Sequence, residues 1–161
     1  MAEFDRAILA AELVRDEGER LKVYLCTAHR RTIGVGRNLD DVGISAAETR
    51  DLGITVASCV REGITRQQSR ALLDKDIRRC EADLDRRLPF WRTLDPVRQR
   101  VLLNMCFNLG IKGLLGFVNT LNLVRQGRYA AAAVNMLKSK WADQVGARAE
   151  RLSDMMRDGT E

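Results

Sequence analysis

The chain has 161 residues, 45% hydrophobic and 30% charged with only two prolines, which suits one compact unit or two small lobes sharing a helix and excludes a disordered chain. A formal net charge of +5 favours polyanions, but acids are interspersed with bases and no basic run or nucleic-acid reading motif occurs, which argues against a nucleic-acid module. No apolar run approaches the roughly 20 residues of a membrane span, and Arg6, Glu12 and Arg15 interrupt any leader-like core near the N-terminus, so neither a classical signal nor a stable membrane anchor is expected.

Residues 4–17 have helical periodicity, with Phe4, Ile8 and Ala11 on one stripe, Leu9 and Leu13 on another, and Gly18 as the stop. Leu21, Val23 and Leu25 alternate with Lys22 and Tyr24, and residues 32–36 form a second extended piece, so a hairpin is expected with Cys26 to Arg31 in its connection. Ser45 with Glu48 has capping-box spacing and Gly53 closes that turn, predicting one short helix before the middle of the chain. Thr65 with Gln68 repeats the signal and opens the longest amphipathic stretch, through Leu73, Ile77, Cys80 and Leu84, until Pro89 ends it. Asp95-Pro96 starts a helix reaching Gly110; further helices are expected over 117–125, 129–138 and 147–156, and residues 159–161 carry no closing signal.

This order predicts a mostly helical α+β protein read as a single domain. It has a small lobe over about 18–64, a connecting helix over about 65–87, and a helical lobe over about 93–161 that also takes the helix 4–17, with a substrate cleft between the lobes. The four cysteines, Cys26, Cys59, Cys80 and Cys106, match no zinc spacing and no disulfide framework, and neither a metal nor a cofactor is called for. Cys80 and Cys106 fall on apolar stripes as small buried hydrophobes. Cys26 stands in the hairpin connection between Glu17 and Thr32, where chemistry has use for it.

The segment from Asp16-Glu17-Gly18 through Tyr24-Leu25-Cys26 to Thr32-Ile33-Gly34 resembles the catalytic loop of the lysozymes of T-even phages. In that family a glutamate ends the first helix, and the hairpin after it carries an aspartate and a threonine. The resemblance continues through Ala71–Asp76, Asp95–Arg100, Gly116–Leu121, Ala132–Asn135, Lys138–Trp141 and Arg148–Arg151, in the family's order. Here the aspartate's position holds Cys26.

The resemblance implies a lysozyme-like fold and hydrolysis of the β-1,4 bond between N-acetylmuramic acid and N-acetylglucosamine in peptidoglycan. Glu17 would be the general acid, with Cys26 and Thr32 activating or positioning the attacking water. Arg148 takes the place of the arginine that pairs with the glutamate, and Asn38, Phe107, Thr120 and Asn135 match sugar-contacting positions. Arg37 replaces a family histidine opposite Asp76, so a structural salt bridge between them is expected. By the same resemblance the chain is a monomeric endolysin, held in the host cytoplasm until a holin opens the way to the wall.

A thiol at an aspartate's place is mostly uncharged near neutral pH unless its surroundings lower its pKa, which falls to Arg30, Arg31 and His29 as its neighbours in sequence. Two other readings stay open. Cys26 and His29 are the thiol and base of a wall-cutting amidase or peptidase, or the fold binds peptidoglycan without cutting it.

Overall fold

The computed structural model describes residues 3–159, and its contacts divide the chain into two compact units, residues 10–76 and a second made of the chain up to residue 9 with that from 77 onward. The boundaries fall inside α1 (Arg6–Glu17) and α4 (Arg66–Arg87), not at their ends. The architecture is α+β and mostly helical, as expected. Helix α1 starts two residues later than its apolar stripe, because the Asp5 carboxylate accepts the Ile8 amide at 3.0 Å and makes residue 5 the cap. Gly18 closes the helix at φ +76°, its N–H donating to the Val14 carbonyl at 2.8 Å.

In the smaller unit β1 (Arg20–Leu25), β2 (Arg31–Gly34) and β3 (Arg37–Asn38) form an antiparallel sheet in chain order. The third strand was not anticipated; two residues carry no alternation to read. Leu25, on the apolar side of the expected alternation, is 64% exposed. Ile33, Leu39, Ile54, Cys59, Ile64 and Leu72 make the core, with Leu21 and Val23 against it.

Two helices, not one, follow the sheet: α2 (Ala46–Leu52) and α3 (Val56–Glu62). The capping box of α2 is formed by Ser45 and Glu48 as expected. That of α3 uses Thr55 and Ser58, a hydroxyl standing where Glu or Gln is the usual signal, which is why the second start was missed. The boxed start of α4 is present too, with reciprocal bonds between Thr65 and Gln68 of 2.9 and 3.1 Å.

Arg37, 3% exposed, is the polar centre of this unit. Its guanidinium meets Glu48 through two hydrogen bonds of 2.8 Å, and Asp76 through Nη2 at 2.8 Å and Nε at 3.1 Å. It also donates to the Gly43 carbonyl at 3.1 Å. The pairing with Asp76 was expected; that with Glu48 was not, because Glu48 already had a role in its capping box. Burial alone would depress the Arg37 pKa, but the two carboxylates carry it above its ordinary value. Glu48 is lowered to about 2, first by its bond to Arg37 and against the cost of burial.

In the other unit a 3-10 turn over Pro89–Thr93 buries Trp91, whose indole donates to Asp85 at 2.8 Å. Helix α5 (Pro96–Leu115) is capped by Asp95 and changes direction at Gly110 (φ 73°, ψ 164°), the position expected as its end. Then come α6 (Val118–Arg125), α7 (Tyr129–Leu137), α8 (Lys140–Val145) and α9 (Ala147–Asp158). The short α8 was unforeseen; it starts on the Ser139 hydroxyl. Cys80 and Cys106 are buried as small apolar residues, as their stripes predicted. The chain end at 160–161 lies outside the described residues.

Because the Glu48 pKa falls from 4.5 unfolded to about 2 folded, its stabilisation is complete above pH 4.5 and is lost as pH drops towards 2. Urea titrations over that window should show a loss of about 3 kcal/mol. Arg37→Met should cost about 3–5 kcal/mol at neutral pH by stranding two buried carboxylates. Adding Glu48→Gln and Asp76→Asn should recover part of that loss; no recovery would mean that packing of the Arg37 stem, not its charge, is what matters.

Candidate active site

Glu17, Cys26 and Thr32 all belong to the smaller unit. Glu17, the last residue of α1, is half-buried, and its carboxyl lies over the Cα of Gly36: a Cβ built there would sit 2.9 Å from Oε1. Gly36 holds φ +68° in the two-residue turn between β2 and β3, a backbone that favours glycine, and its lack of a Cβ leaves room for the carboxyl above it. The turn is held by Arg37, the next residue.

Cys26 begins the hairpin connection. Its N–H donates to the Arg30 carbonyl at 3.0 Å and its carbonyl accepts the His29 N–H at 2.8 Å, with His29 in the left-handed region at φ 60°. The backbone N–H of Arg30 is the main cause that holds the Cys26 thiol below its ordinary pKa, against the cost of burial, and the Ala28 N–H and Thr32 hydroxyl add to it. The expected helpers do not act. Arg31 is taken by Asp40, with Nε to Oδ1 at 2.7 Å, and Arg30 pairs with Asp41 at 3.5 Å. His29 is exposed and is not among the causes of the shift. The groups that lower the thiol are thus peptide N–H donors and the Thr32 hydroxyl, not a charged side chain.

Thr32 is 3% exposed on β2, with its hydroxyl donating to the Arg30 carbonyl at 2.9 Å. A hydroxyl has one proton, so donation to that carbonyl and donation to a Cys26 thiolate are alternatives exchanged by rotation about one bond. Tyr24 stands directly opposite Thr32 in the ladder. Sequence reasoning treated Tyr24 only as a polar strand position and did not single out Gly36; the sole signal for the latter was its place after Gly34-Val35.

Asn38 spends its side chain on the turn after β3. Its Oδ1 accepts the N–H of Asp40 and Asp41 at 2.9 and 2.8 Å, and its amide donates to Asp41 at 3.0 Å. That turn delivers the two aspartates that occupy Arg31 and Arg30.

The remaining candidates lie in the other unit. Thr120 (α6, 4% exposed) and Asn135 (α7) line a pocket of about 360 Å³ together with Gly113, Phe117, Asn119 and Lys138. Phe117 is backed edge-on by Trp141, with ring centres 5.8 Å apart. Phe107 on α5 is half-buried and is not in that lining. Arg148 is buried on α9, and its Nε donates to Asn104 at 3.0 Å.

A family model described as phage lysozyme matches residues 14–157. Among curated proteins, probable T4-type lysozyme 1 of Dictyostelium discoideum is 28% identical over 154 residues, covering 90% of this chain and 91% of the relative. Probable T4-type lysozyme 2 of the same organism gives the same identity and coverage. The pre-baseplate central spike protein Gp5 of Enterobacteria phage T4 is 29% identical over 154 residues, which is 27% of its own length.

The contact of Gly36 with Glu17 separates geometry from stability. In Gly36→Ala the left-handed backbone costs about 1 kcal/mol, whereas the methyl is relieved cheaply by swinging the flexible Glu17 carboxyl aside. Turnover of peptidoglycan should then fall on the order of a hundredfold, far more than so small a stability loss explains. A variant that loses stability but keeps turnover would show that the position of Glu17 over Gly36 is not the working one.

Proposed function

The chain belongs to the phage lysozyme family, and on that premise we propose that it is a muramidase in which Glu17 is the general acid and a Cys26 thiolate, with Thr32, handles the attacking water. Its function is of the lysozyme type, a glycosidase. The observation that carries the finer reading is the set of donors around Cys26, the backbone N–H groups of Arg30, Ala28 and Cys26 itself with the Thr32 hydroxyl, which favour the thiolate without a charged neighbour.

In this reading Glu17 gives its proton to the glycosidic oxygen as the bond to the anomeric carbon breaks, and oxocarbenium-like charge develops on the sugar. Water adds to that carbon, losing a proton to the thiolate. The products are a new reducing end and a free sugar hydroxyl, with Cys26 protonated and Glu17 ionised; exchange with solvent resets both. Thr32, by rotating its hydroxyl, holds the water before the proton moves and releases it afterwards. A thiolate attacking the anomeric carbon itself would also balance, but the resemblance favours activated water.

The pocket at Thr120 and Asn135 suits neutral sugar and amide groups, with its glycines, side-chain amides and aromatic floor, and we assign it to substrate. Phe107, Asn38 and a supporting role for Arg148 rest on the resemblance alone. So do the endolysin role, lysis of a bacterial host, dependence on a holin and the monomeric state. The amidase reading gains nothing from His29, and the binding-module reading is opposed by a thiol environment built to hold charge.

Purified peptidoglycan incubated with the wild type should release new reducing ends and no new amines. Glu17→Gln and Cys26→Ser should each lose at least about a hundredfold. Cys26→Asp should stay active and extend activity to more acidic pH, since an ordinary carboxylate ionises near about 3.9 and a thiol near about 8.5. Amines without reducing ends would move the assignment to an amidase, and full activity in Cys26→Ser would remove the thiol from the mechanism.

A further inference from the structure

We propose that Glu19 is a positioning residue of the glycosidase site: its carboxylate, held by Ser69 and Arg70 in the first turns of α4, fixes the peptide that leaves α1 and so sets the Glu17 carboxyl over Gly36. The inference rests on the muramidase reading above.

Glu19 lies two residues past Glu17, across the left-handed Gly18 (φ +76°), and its side chain is only 8% exposed. Its Oε2 accepts the Ser69 hydroxyl at 2.9 Å and Arg70 Nε at 2.7 Å; its Oε1 accepts Arg70 Nη2 at 3.3 Å and pairs with Arg66 Nε at 3.4 Å. Residues 66, 69 and 70 share one face of α4 at its N-terminal end, where the helix dipole also favours an anion. The bond to Arg70 is the foremost reason the Glu19 carboxyl stays below its ordinary pKa, against the cost of burial, with Ser69 and Arg66 adding to it. Both oxygens are therefore spent on holding the chain to α4.

The other side of Ser69 faces the glycine turn. A Cβ built on Gly34, which ends β2 at φ +64°, would lie 3.1 Å from the Ser69 hydroxyl oxygen. This buried hydroxyl is thus packed between the Glu19 carboxylate and the strand that leads into Gly36. Helix α4 thereby braces both pieces between which the Glu17 carboxyl sits, the exit of α1 through Glu19 and the approach to Gly36 through Gly34. The start of β1 is tied the same way. The Leu21 carbonyl accepts the Ile64 N–H at 2.9 Å and Lys22 Nζ donates to the Glu62 carbonyl at 2.8 Å, in the stretch where the register of β1 on β2 shifts. A general acid must stand within hydrogen-bond reach of the glycosidic oxygen, and misplacement by about 1 Å costs the chemical step far more than substrate binding.

Glu19→Ala releases the α1 side of this brace. In the reducing-end assay on soluble peptidoglycan fragments, run well below the denaturation midpoint, its kcat should fall about tenfold or more with KM unchanged. Ile54→Val, which trims the core of the same unit in the loop between α2 and α3, should lower the denaturation midpoint and keep the wild-type kcat. A wild-type kcat in Glu19→Ala, or a kcat loss of the same size in Ile54→Val, would overturn the proposal. Added to Gly36→Ala, Glu19→Ala should cost less than the product of the two single losses, since both act by moving one carboxyl; a full product would place the effect of Glu19 elsewhere and overturn it too. Should Glu19→Ala not fold, Glu19→Gln, of the same size but without the charge that binds Arg70, carries the same expectations. A wild type that releases no reducing ends defeats the muramidase reading and the role of Glu19 with it. That outcome is distinct from an active wild type matched by Glu19→Ala, which defeats the Glu19 proposal alone.

Discussion

The smaller unit depends on one buried cation. Arg37 gathers Glu48 from the start of α2, Asp76 from α4 and the Gly43 carbonyl from the loop before α2, so the loop, α2 and the distant α4 close on a single guanidinium. A planar fork with five donors suits two carboxylates and a carbonyl at once, which an ammonium or an imidazole cannot match. Arg37 also follows Gly36, so the clamp that closes the unit fixes the turn beneath the Glu17 carboxyl. The turn beneath the Glu17 carboxyl is thus one residue from the salt bridge that closes the unit.

The second constraint is how charge is distributed around the thiol. Six titratable residues besides Cys26 crowd residues 26–41, yet the Cys26 anion is served mainly by peptide N–H groups. The turn built by Asn38 explains why, since it presents Asp40 and Asp41 to Arg31 and Arg30 and so removes two mobile cations from competition. Backbone donors cannot swing away and need no reorganisation when the thiolate forms, whereas exposed arginine side chains are screened and flexible. Asn38 thus affects the site through the turn it organises.

Much of this was legible in the sequence because it is written in local signals. Gly18 after an apolar stripe, Ser45 with Glu48, Thr65 with Gln68 and Asp95-Pro96 each specify a helix end within a few residues, and each is found where expected. What was not legible depends on partners distant in the chain or on signals too short to have a period. Strand β3 is two residues long, α8 is six, and the capping box of α3 has Ser58 where the familiar box has Glu. The arginines beside Cys26 looked like its activators because sequence shows proximity but not which aspartates they face. Glu17, Cys26 and Thr32 were found by resemblance to known loops. The roles of Glu48 and Gly36 needed the three-dimensional pairing, since nothing local distinguishes a capping glutamate that also binds a buried arginine from one that does not.

The two departures from the resembled pattern act in opposite directions on pH. An arginine where the family has histidine makes the structural charge permanent: a guanidinium raised above its already high pKa does not titrate in any range where the protein folds, and Glu48 beside it ionises down to about 2. A cysteine at the position where the resembled pattern has aspartate does the reverse: in the proposed mechanism it moves the charge that handles water from the acid range towards neutrality, with N–H donors drawing it part of the way back. The fold is thereby insulated from the pH changes that govern the reaction. In the proposed mechanism, protonation of Cys26 switches off water activation without loosening Arg37, and the clamp fails only at an acidity far below that at which the thiolate is lost. Stability and activity, which share a carboxylate-dominated pH response when both rest on Asp and His, are separated here by the choice of two side chains.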